Sequence, residues 1–295
     1  KSTLPILSNV LIETKDSKIK ITATDLDIIY SEEIPAEKIT KEGTTTTSAS
    51  ILYDILRKLL PNAKVEISLQ EQNKLKLLSG NSTFNLLCIP PENFPLPDED
   101  FKAKTFKIHP TKILKLLNKT KISMSGDETR HYLNGIFFHK TTLKDQAYLT
   151  GVSTDSHRLS SSSTEIDSNA DLEPIILPKK TVFQLLSLLE GTSNNLTISN
   201  TKSKIKFEME NSTLISKVID GKFPDYTKVI PLGNEKKLKV NLNEFKNSIE
   251  RVVSVSSDRK EGLKMALSKD AIRLSVNSPN SGEGIENIKA NYNSE

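Results

Sequence analysis

Five consecutive residues, Thr154-Asp155-Ser156-His157-Arg158, gather a hydroxyl, a carboxylate, an imidazole and a guanidinium in one short stretch. Asp155 and His157, two apart, have the types needed to orient a general base or to begin a metal site. Either chemistry needs more partners. A hydrolase needs a nucleophile, zinc needs a third ligand, and a nucleotide enzyme needs a glycine-rich phosphate loop. The sequence has no Gly-rich loop, no His-Glu-x-x-His and no Gly-x-Ser-x-Gly. From spacing alone the segment reads equally well as a polar turn after a strand. Three classes therefore stay open: an enzyme centred on Asp155, His157 and a distant carboxylate, a DNA-binding protein without catalysis, and an interaction scaffold without DNA.

What positions these residues is an internal repeat. Lys74-Leu75-Lys76-Leu77 and Asn81-Ser82-Thr83-Phe84 reappear 130 residues later as Lys204-Ile205-Lys206-Phe207 and Asn211-Ser212-Thr213-Leu214. Phe94-Pro95 returns as Phe223-Pro224, and Ala23-Thr24-Asp25 as Ser153-Thr154-Asp155. Four matches in one order, three at a separation of 130 and one at 129, imply two copies of a domain of ordinary size. A third copy starts near Lys237 and runs about half-way. The expected boundaries are 1–102, 103–234 and 235–295, with the first copy lacking its opening helix and the chain cut short at both ends.

Within each copy, period-two stretches such as Lys18 to Thr22, Ser203 to Met209, Leu133 to Phe138 and Leu263 to Leu267 predict half-buried strands. Helical spacing lies between them. Ser48 caps a helix that places Ile51, Leu52, Ile55, Leu56 and Leu59 on one face and stops before Pro61. Pro110 opens a second with Ile113, Leu114 and Leu117 inward and Lys112, Lys115 and Lys119 outward. Pro178 opens a third carrying Val182, Phe183, Leu186 and Leu189 before Gly191, and Asn243 caps a fourth through Phe245, Ile249, Val252 and Val253. The predicted class is α+β, antiparallel strands with a few helices on one face.

Composition narrows the function. At 295 residues, with 36% hydrophobic and 26% charged residues, the chain can bury cores of several domains. Cys88 is the one cysteine, which excludes an intrachain disulfide and a cysteine-based zinc site. No apolar run reaches the roughly 20 residues of a membrane helix, and Lys1-Ser2-Thr3-Leu4-Pro5 has no signal-peptide core. A cytoplasmic, membrane-free protein is expected. Asn-x-Ser/Thr triplets at Asn81, Asn118, Asn195 and Asn211 carry no function without secretion. With 41 basic and 37 acidic side chains the net charge is +4, too small by itself to imply nucleic acid.

Several stretches resemble the bacterial replicative sliding clamp family, the β subunit of DNA polymerase III. They are Thr3-Leu4-Pro5-Ile6-Leu7-Ser8-Asn9, Arg130-His131-Tyr132-Leu133-Asn134-Gly135, Thr154 to Leu159, and Asp220-Gly221-Lys222-Phe223-Pro224-Asp225-Tyr226. They keep the family order along nearly the whole chain. In the family, glycine commonly stands where Ser156 is here.

The resemblance implies three repeated clamp domains, with antiparallel sheets outside and helices lining a ring. It implies a homodimer that encircles duplex DNA without reading sequence, tethers replicative and repair polymerases and the clamp loader, and has no catalytic residues, metal or cofactor. A sliding ring needs a diffuse positive lining that meets phosphates. The resemblance assigns that lining to Lys1, Arg57, Lys58, Arg130, His131, Tyr132, Lys179 and Lys180; Ser50 and Ile51 stand where relatives can have basic residues, and Asp127 puts an acid near His131. It assigns a partner-peptide cleft to Leu133, Thr154, His157, Arg158, Leu159, Pro224, Lys228 and Val229, with Lys228 where an arginine can occur. It sets Phe84 and Leu86 against Ser254 and Val255 of a second subunit. Ser254 and the missing third-domain strands weaken that seam, so a stable closed ring is not expected of the 295 residues alone. On exposed helices, lysines are otherwise solvated faces, and Phe84 and Leu86 otherwise ordinary core.

Overall fold

The computed structural model describes residues 4–71, 73–96, 103, 105–256, 261–292 and 294. Alternation and turn chemistry produce the first repeat: β1 (Asn9–Lys15), β2 (Lys18–Thr24), β3 (Ile28–Pro35), β4 (Gly43–Ser48), α1 (Ala49–Leu56), β5 (Glu66–Gln70), β6 (Lys74–Ser79) and β7 (Ser82–Leu87). The second opens with β8 (Thr105–Ile108) and α2 (Pro110–Thr120), then runs β9 (Gly135–Leu143), β10 (Gln146–Thr154), β11 (Leu159–Glu165), β12 (Ile175–Pro178), α3 (Lys179–Leu189), β13 (Leu196–Asn200), β14 (Lys204–Glu208) and β15 (Ser212–Lys217). The third supplies α4 (Leu242–Val253), β16 (Lys264–Ser268), β17 (Ala271–Ser278) and β18 (Gly282–Lys289). All paired strands are antiparallel.

The chain divides into two compact units, Lys1–Phe223 and Pro224–Glu295. In the first, the repeats share one eight-stranded sheet of order β4-β1-β2-β3-β15-β14-β13-β8. The junction is the β3–β15 pair, with Ile29 opposite Ile215 and Ser31 opposite Thr213. A four-stranded sheet, β11-β10-β9-β12, and a three-stranded sheet, β5-β6-β7, complete this unit. The second unit holds a three-stranded sheet, β16-β17-β18, with α4 packed on it through Val252 and Phe245.

Core formation follows the helical faces. Between the two sheets of the second repeat, α2 buries Ile113, Leu116 and Leu117 and α3 buries Val182, Leu185, Leu186 and Leu189. Each such side chain contributes roughly 1.5–3 kcal/mol over exposure. Leu116 takes the place expected of Leu114, which is only partly buried. Phe183 is 49% exposed, because the turn that points Val182 and Leu186 inward sends it outward. α1 is shorter than expected and buries Leu52 alone among its apolar residues; Ile51 and Leu56 stay exposed. In the second repeat the matching face of α3 packs on α2.

Capping sets the boundaries. Ser48 caps α1 by accepting from the Ile51 amide, as expected. The cap of α4 is Asn241, not Asn243, since its side chain accepts from the Glu244 amide at 3.0 Å. Leu133 closes a 3₁₀ turn over Glu128–Leu133, so β9 starts two residues later than the alternation suggested, at Gly135.

Candidate DNA-facing and partner-docking surfaces

The segment Thr154 to Arg158 is a turn in which the Thr154 hydroxyl and the Asp155 carboxylate are spent locally, while the Ser156 hydroxyl accepts from the Arg130 guanidinium at 2.7 Å and His157 is exposed. The Thr154 hydroxyl donates to the Arg158 carbonyl at 2.8 Å and accepts from the Ser156 amide. Asp155 Oδ1 accepts from the amides of His157 and Arg158, both at 3.0 Å, while Oδ2 takes the Arg158 guanidinium at 2.9 Å. Those backbone amides, with the guanidinium, hold the Asp155 carboxyl at about 2. A carboxylate so occupied orients no base. Among the described residues no three His, Cys, Asp or Glu side chains are grouped to hold a metal.

The first repeat builds the same turn. Thr24 donates to the Ile28 carbonyl at 2.9 Å and accepts from the Leu26 amide, and Asp25 Oδ1 accepts from the amides of Asp27 and Ile28. Leu26 and Ser156 occupy matching left-handed positions, at φ 79° and 77°. A left-handed position of this kind suits glycine. The first-repeat turn differs in its partners: Lys180 bonds Asp25, and Lys217 bonds Asp27 at 3.2 Å.

Arg130, His131 and Tyr132 lie in the 3₁₀ turn before β9. Asp127 caps that turn through the Thr129 amide, and Asp127 Oδ2 takes Arg130 Nε at 2.9 Å. These bonds, led by those from Thr129, keep the Asp127 carboxyl below its usual range. His131 Nε2 lies 3.2 Å from the Asp220 carbonyl oxygen and donates to it. A Cβ on Gly221 would sit 3.1 Å from that of Tyr132. Phe223 stacks on Phe137 at 5.0 Å, and Phe137 on His139 at 4.5 Å. Burial pushes the His139 imidazole down. The Asp220-Gly221-Lys222-Phe223 motif is thus the segment that this loop fastens to β9, and glycine is there because Tyr132 needs the space.

The cations assigned to DNA are not equivalent. Arg57 follows the last turn of α1, where it pairs with Asp54 at 2.9 Å and lies over the Tyr53 ring. Lys180, in the first turn of α3, is tied to Asp25. Lys58 and Lys179 are exposed and have no ion-pair partner among the described residues. Lys115 and Lys119 point outward from α2, as does Lys112, whose ammonium reaches the Glu165 carbonyl at 3.2 Å. Lys1 lies outside the described residues.

Of the residues assigned to the cleft, Leu133 is buried at 2% exposure and presents no surface of its own. Thr154 and Leu159 are half-buried, His157 and Arg158 exposed. In the second unit, Pro224, Lys228 and Val229 are exposed; Asp225 caps their 3₁₀ turn and pairs with Lys228 at 3.2 Å. On β7, Leu86 packs in the first repeat's own core with Leu75 and Leu77, and Phe84 packs against it. The exposed apolar residue of that strand is Leu87, at 76%. Ser254 is exposed at the end of α4, and Val255 half-buried.

Three family models match the chain in sequence order: the N-terminal domain of the DNA polymerase III beta subunit over residues 1–98, its central domain over 107–225 and its C-terminal domain over 227–295. The chain belongs to the DNA polymerase III beta subunit family. The beta sliding clamp of Caulobacter vibrioides is 32% identical over 297 residues, covering 100% of this chain and 80% of the relative. That of Rickettsia bellii is 34% identical over 292 residues, covering 98% and 74%. A sliding clamp from Bartonella birtlesii, solved bound to griselimycin, superposes with a TM-score of 0.94 at 38% identity, over 100% of this chain and 79% of that one. The Caulobacter crescentus clamp superposes at 0.96 with 32% identity, over the same shares of the two chains.

This clamp is a non-catalytic processivity subunit of a replicative DNA polymerase, which closes the enzymatic reading of Asp155 and His157. Three features of the clamp surface escaped the sequence reading: the Asp25 and Asp27 pairs, the exposed Leu87, and the brace from Arg130 to Ser156. The repeat carried a signal for the first, since Asp25 matches Asp155 while Ile28 stands in place of its internal partner Arg158.

Proposed function

We propose that this clamp pairs with a second copy as a ring around duplex DNA, slides on it, and docks polymerases and the clamp loader through short peptide motifs. The β3–β15 pair carries the reading. It shows how one repeat adds its sheet edge to the next. By the repeat, β7 corresponds to β15 and β18 to β3, and within the described residues each has a free outer edge. Pairing β7 with β18 of a second copy repeats the same junction between chains, in the manner of strand addition. Gly284 supports that edge: a Cβ there would meet the Val252 carbonyl and the Val255 side chain at 2.9 Å, so β18 lies close on the end of α4.

DNA is met by Lys58 and Lys179 as free charges, with Arg57, Lys180, Arg130, His131 and Tyr132 contributing from positions partly neutralised or fastened. Contacts of that kind touch phosphates and permit sliding. Partner peptides are read by Thr154, His157, Arg158 and Leu159, supported by Leu133, and by Pro224, Lys228 and Val229. Lys228 gives a point charge where a forked guanidinium would give two bonds. The setting is the cytoplasm; no described helix is long and apolar enough to cross a membrane.

The experiment is topological. Full-length protein loaded on a nicked circular duplex should be retained and should run off when the circle is linearised. Loss at one rate from both forms would remove the ring.

A further inference from the structure

The junction between the first two repeats carries charge that the corresponding edges elsewhere lack. At the β3–β15 seam, Lys180 of α3 bonds Asp25 and Lys217 of β15 bonds Asp27, in the turn that opens β3. The Lys217 amide also donates to the Asp27 carbonyl at 2.8 Å, so the strand edge and the ion pair are locked in one register. One repeat earlier, the positions of Lys180 and Lys217 are held by Ser50 and Leu87. The strand registers fix the second match: Lys217 lies opposite Lys204 and Leu87 opposite Lys74. In the third repeat, the turn before β18 is Pro279-Asn280-Ser281, without a carboxylate. Of the acids on β18 itself, Glu286 is taken by Arg251 of α4 at 2.5 Å. Glu283, in the register carried over from β3–β15, falls opposite the uncharged Asn85.

We infer that these charges form a pairing code: Lys180–Asp25 and Lys217–Asp27 reserve the β3 edge for the β15 of the same chain, and the uncharged β7 edge selects the uncharged β18 turn of a second copy. The inference rests on the dimer reading above. Its logic is a difference between right and wrong partners. If β7 of another copy took the β3 edge, Asp25 and Asp27 would face Ser50 and Leu87 and lose both cations. If β15 took a β18 edge, two lysines would face a proline, an asparagine and a serine. Each wrong pairing forfeits both ion pairs, whereas the right between-chain pairing forfeits none. The between-chain seam is then held by backbone ladder and apolar contact, and is indifferent to salt, since screening acts on charge pairs.

Sedimentation equilibrium of the chain over a wide concentration range, at low and high salt, is the test. The wild type should dimerise with the same dissociation constant at both salts. The Ser50→Lys, Leu87→Lys variant should dimerise about tenfold more weakly, or about 1.4 kcal/mol, and adding Asn280→Asp with Ser281→Asp should restore association and make it salt-sensitive. All four positions are exposed, Ser50 in the first turn of α1, Leu87 on the β7 edge and Asn280 and Ser281 in the turn before β18, and circular dichroism and thermal melting confirm that each variant folds. A lysine variant that folds and associates like the wild type, or acids that fail to restore the lysine variant, would overturn the code while leaving the dimer standing. A wild type monomeric at every concentration would overturn the dimer reading as well, before any variant is compared.

Discussion

The Arg130 guanidinium donates to the Ser156 hydroxyl at 2.7 Å, joining the 3₁₀ turn before β9 to the turn between β10 and β11. One residue thereby serves both surfaces named for this clamp, the loop assigned to DNA and the turn assigned to partner peptides. Its charge is shared with Asp127. The same bond explains how Ser156 persists at a backbone position suited to glycine.

The two matching turns give a controlled comparison of that bond. Leu26 and Ser156 both sit in left-handed conformation, which costs a non-glycine residue roughly 1–2 kcal/mol. Leu26 is 43% exposed. Leu26→Gly should stabilise the protein by about 0.5–1 kcal/mol after the entropy of glycine is counted, raising Tm by roughly 2 °C. Ser156→Gly gains the same backbone relief and loses the bond from Arg130, so its Tm should stay within about 1 °C of wild type. Equal gains at both sites would show that the Arg130 bond contributes nothing.

Acid should open the second turn late. The folded carboxyl of Asp155 is depressed, so its contribution is present above the unfolded value of 3.8 and is lost as pH falls through about 2. Side-chain carbon NMR should find the Asp155 midpoint near 2, with the amides of His157 and Arg158 shifting along it. A midpoint near 3.8 would mean that those amides do not hold the carboxylate.

Charge already engaged is charge less available to phosphate. Lys58→Ala and Lys179→Ala should each reduce the slope of log affinity against log salt on duplex DNA by about 0.9. Arg57→Ala should cost less, and Asp54→Ala, which frees Arg57, should strengthen binding. Filter binding across a salt series measures all four. A larger loss at Arg57 than at Lys58 would reverse the ranking.

Much of this was legible in the sequence, for stated physical reasons. The 130-residue repeat gave the architecture because equivalent strands need equivalent alternation, and Pro110, Pro178 and Ser48 marked helix starts through cap and φ preferences that act locally. Faces were read less well. Phe183 and Leu114 have the right spacing for burial, yet which side of a helix is covered depends on neighbours distant in sequence. For the same reason Leu86, which the resemblance sets at the seam between subunits, packs in the core of its own repeat, while its neighbour Leu87 is exposed. Lys180 illustrates the limit for the DNA surface, since its partner Asp25 lies 155 residues away.

Gly135 shows what spacing cannot disclose and substitution can. It ends the Arg130 to Gly135 motif and begins β9, where it faces Pro178 of β12. A Cβ there would fall inside contact distance of the Leu177 carbonyl oxygen, which is backbone and held in the sheet. At Gly151 the nearest obstacle is the Leu116 Cδ2 methyl at 2.5 Å, the end of a side chain that can turn. Both sites are buried. Because a rotamer yields more readily than a strand, Gly135→Ala should destabilise by about 3 kcal/mol, the upper part of the overpacking range, and Gly151→Ala by about 1. Thermal and urea denaturation followed by circular dichroism should rank them in that order. Gly135→Ala should also displace β12 and hence the first turn of α3, weakening DNA binding through Lys179 even at temperatures where the protein stays folded. A Gly135→Ala protein as stable as wild type would mean that the approach of β9 to β12 is looser than the geometry requires.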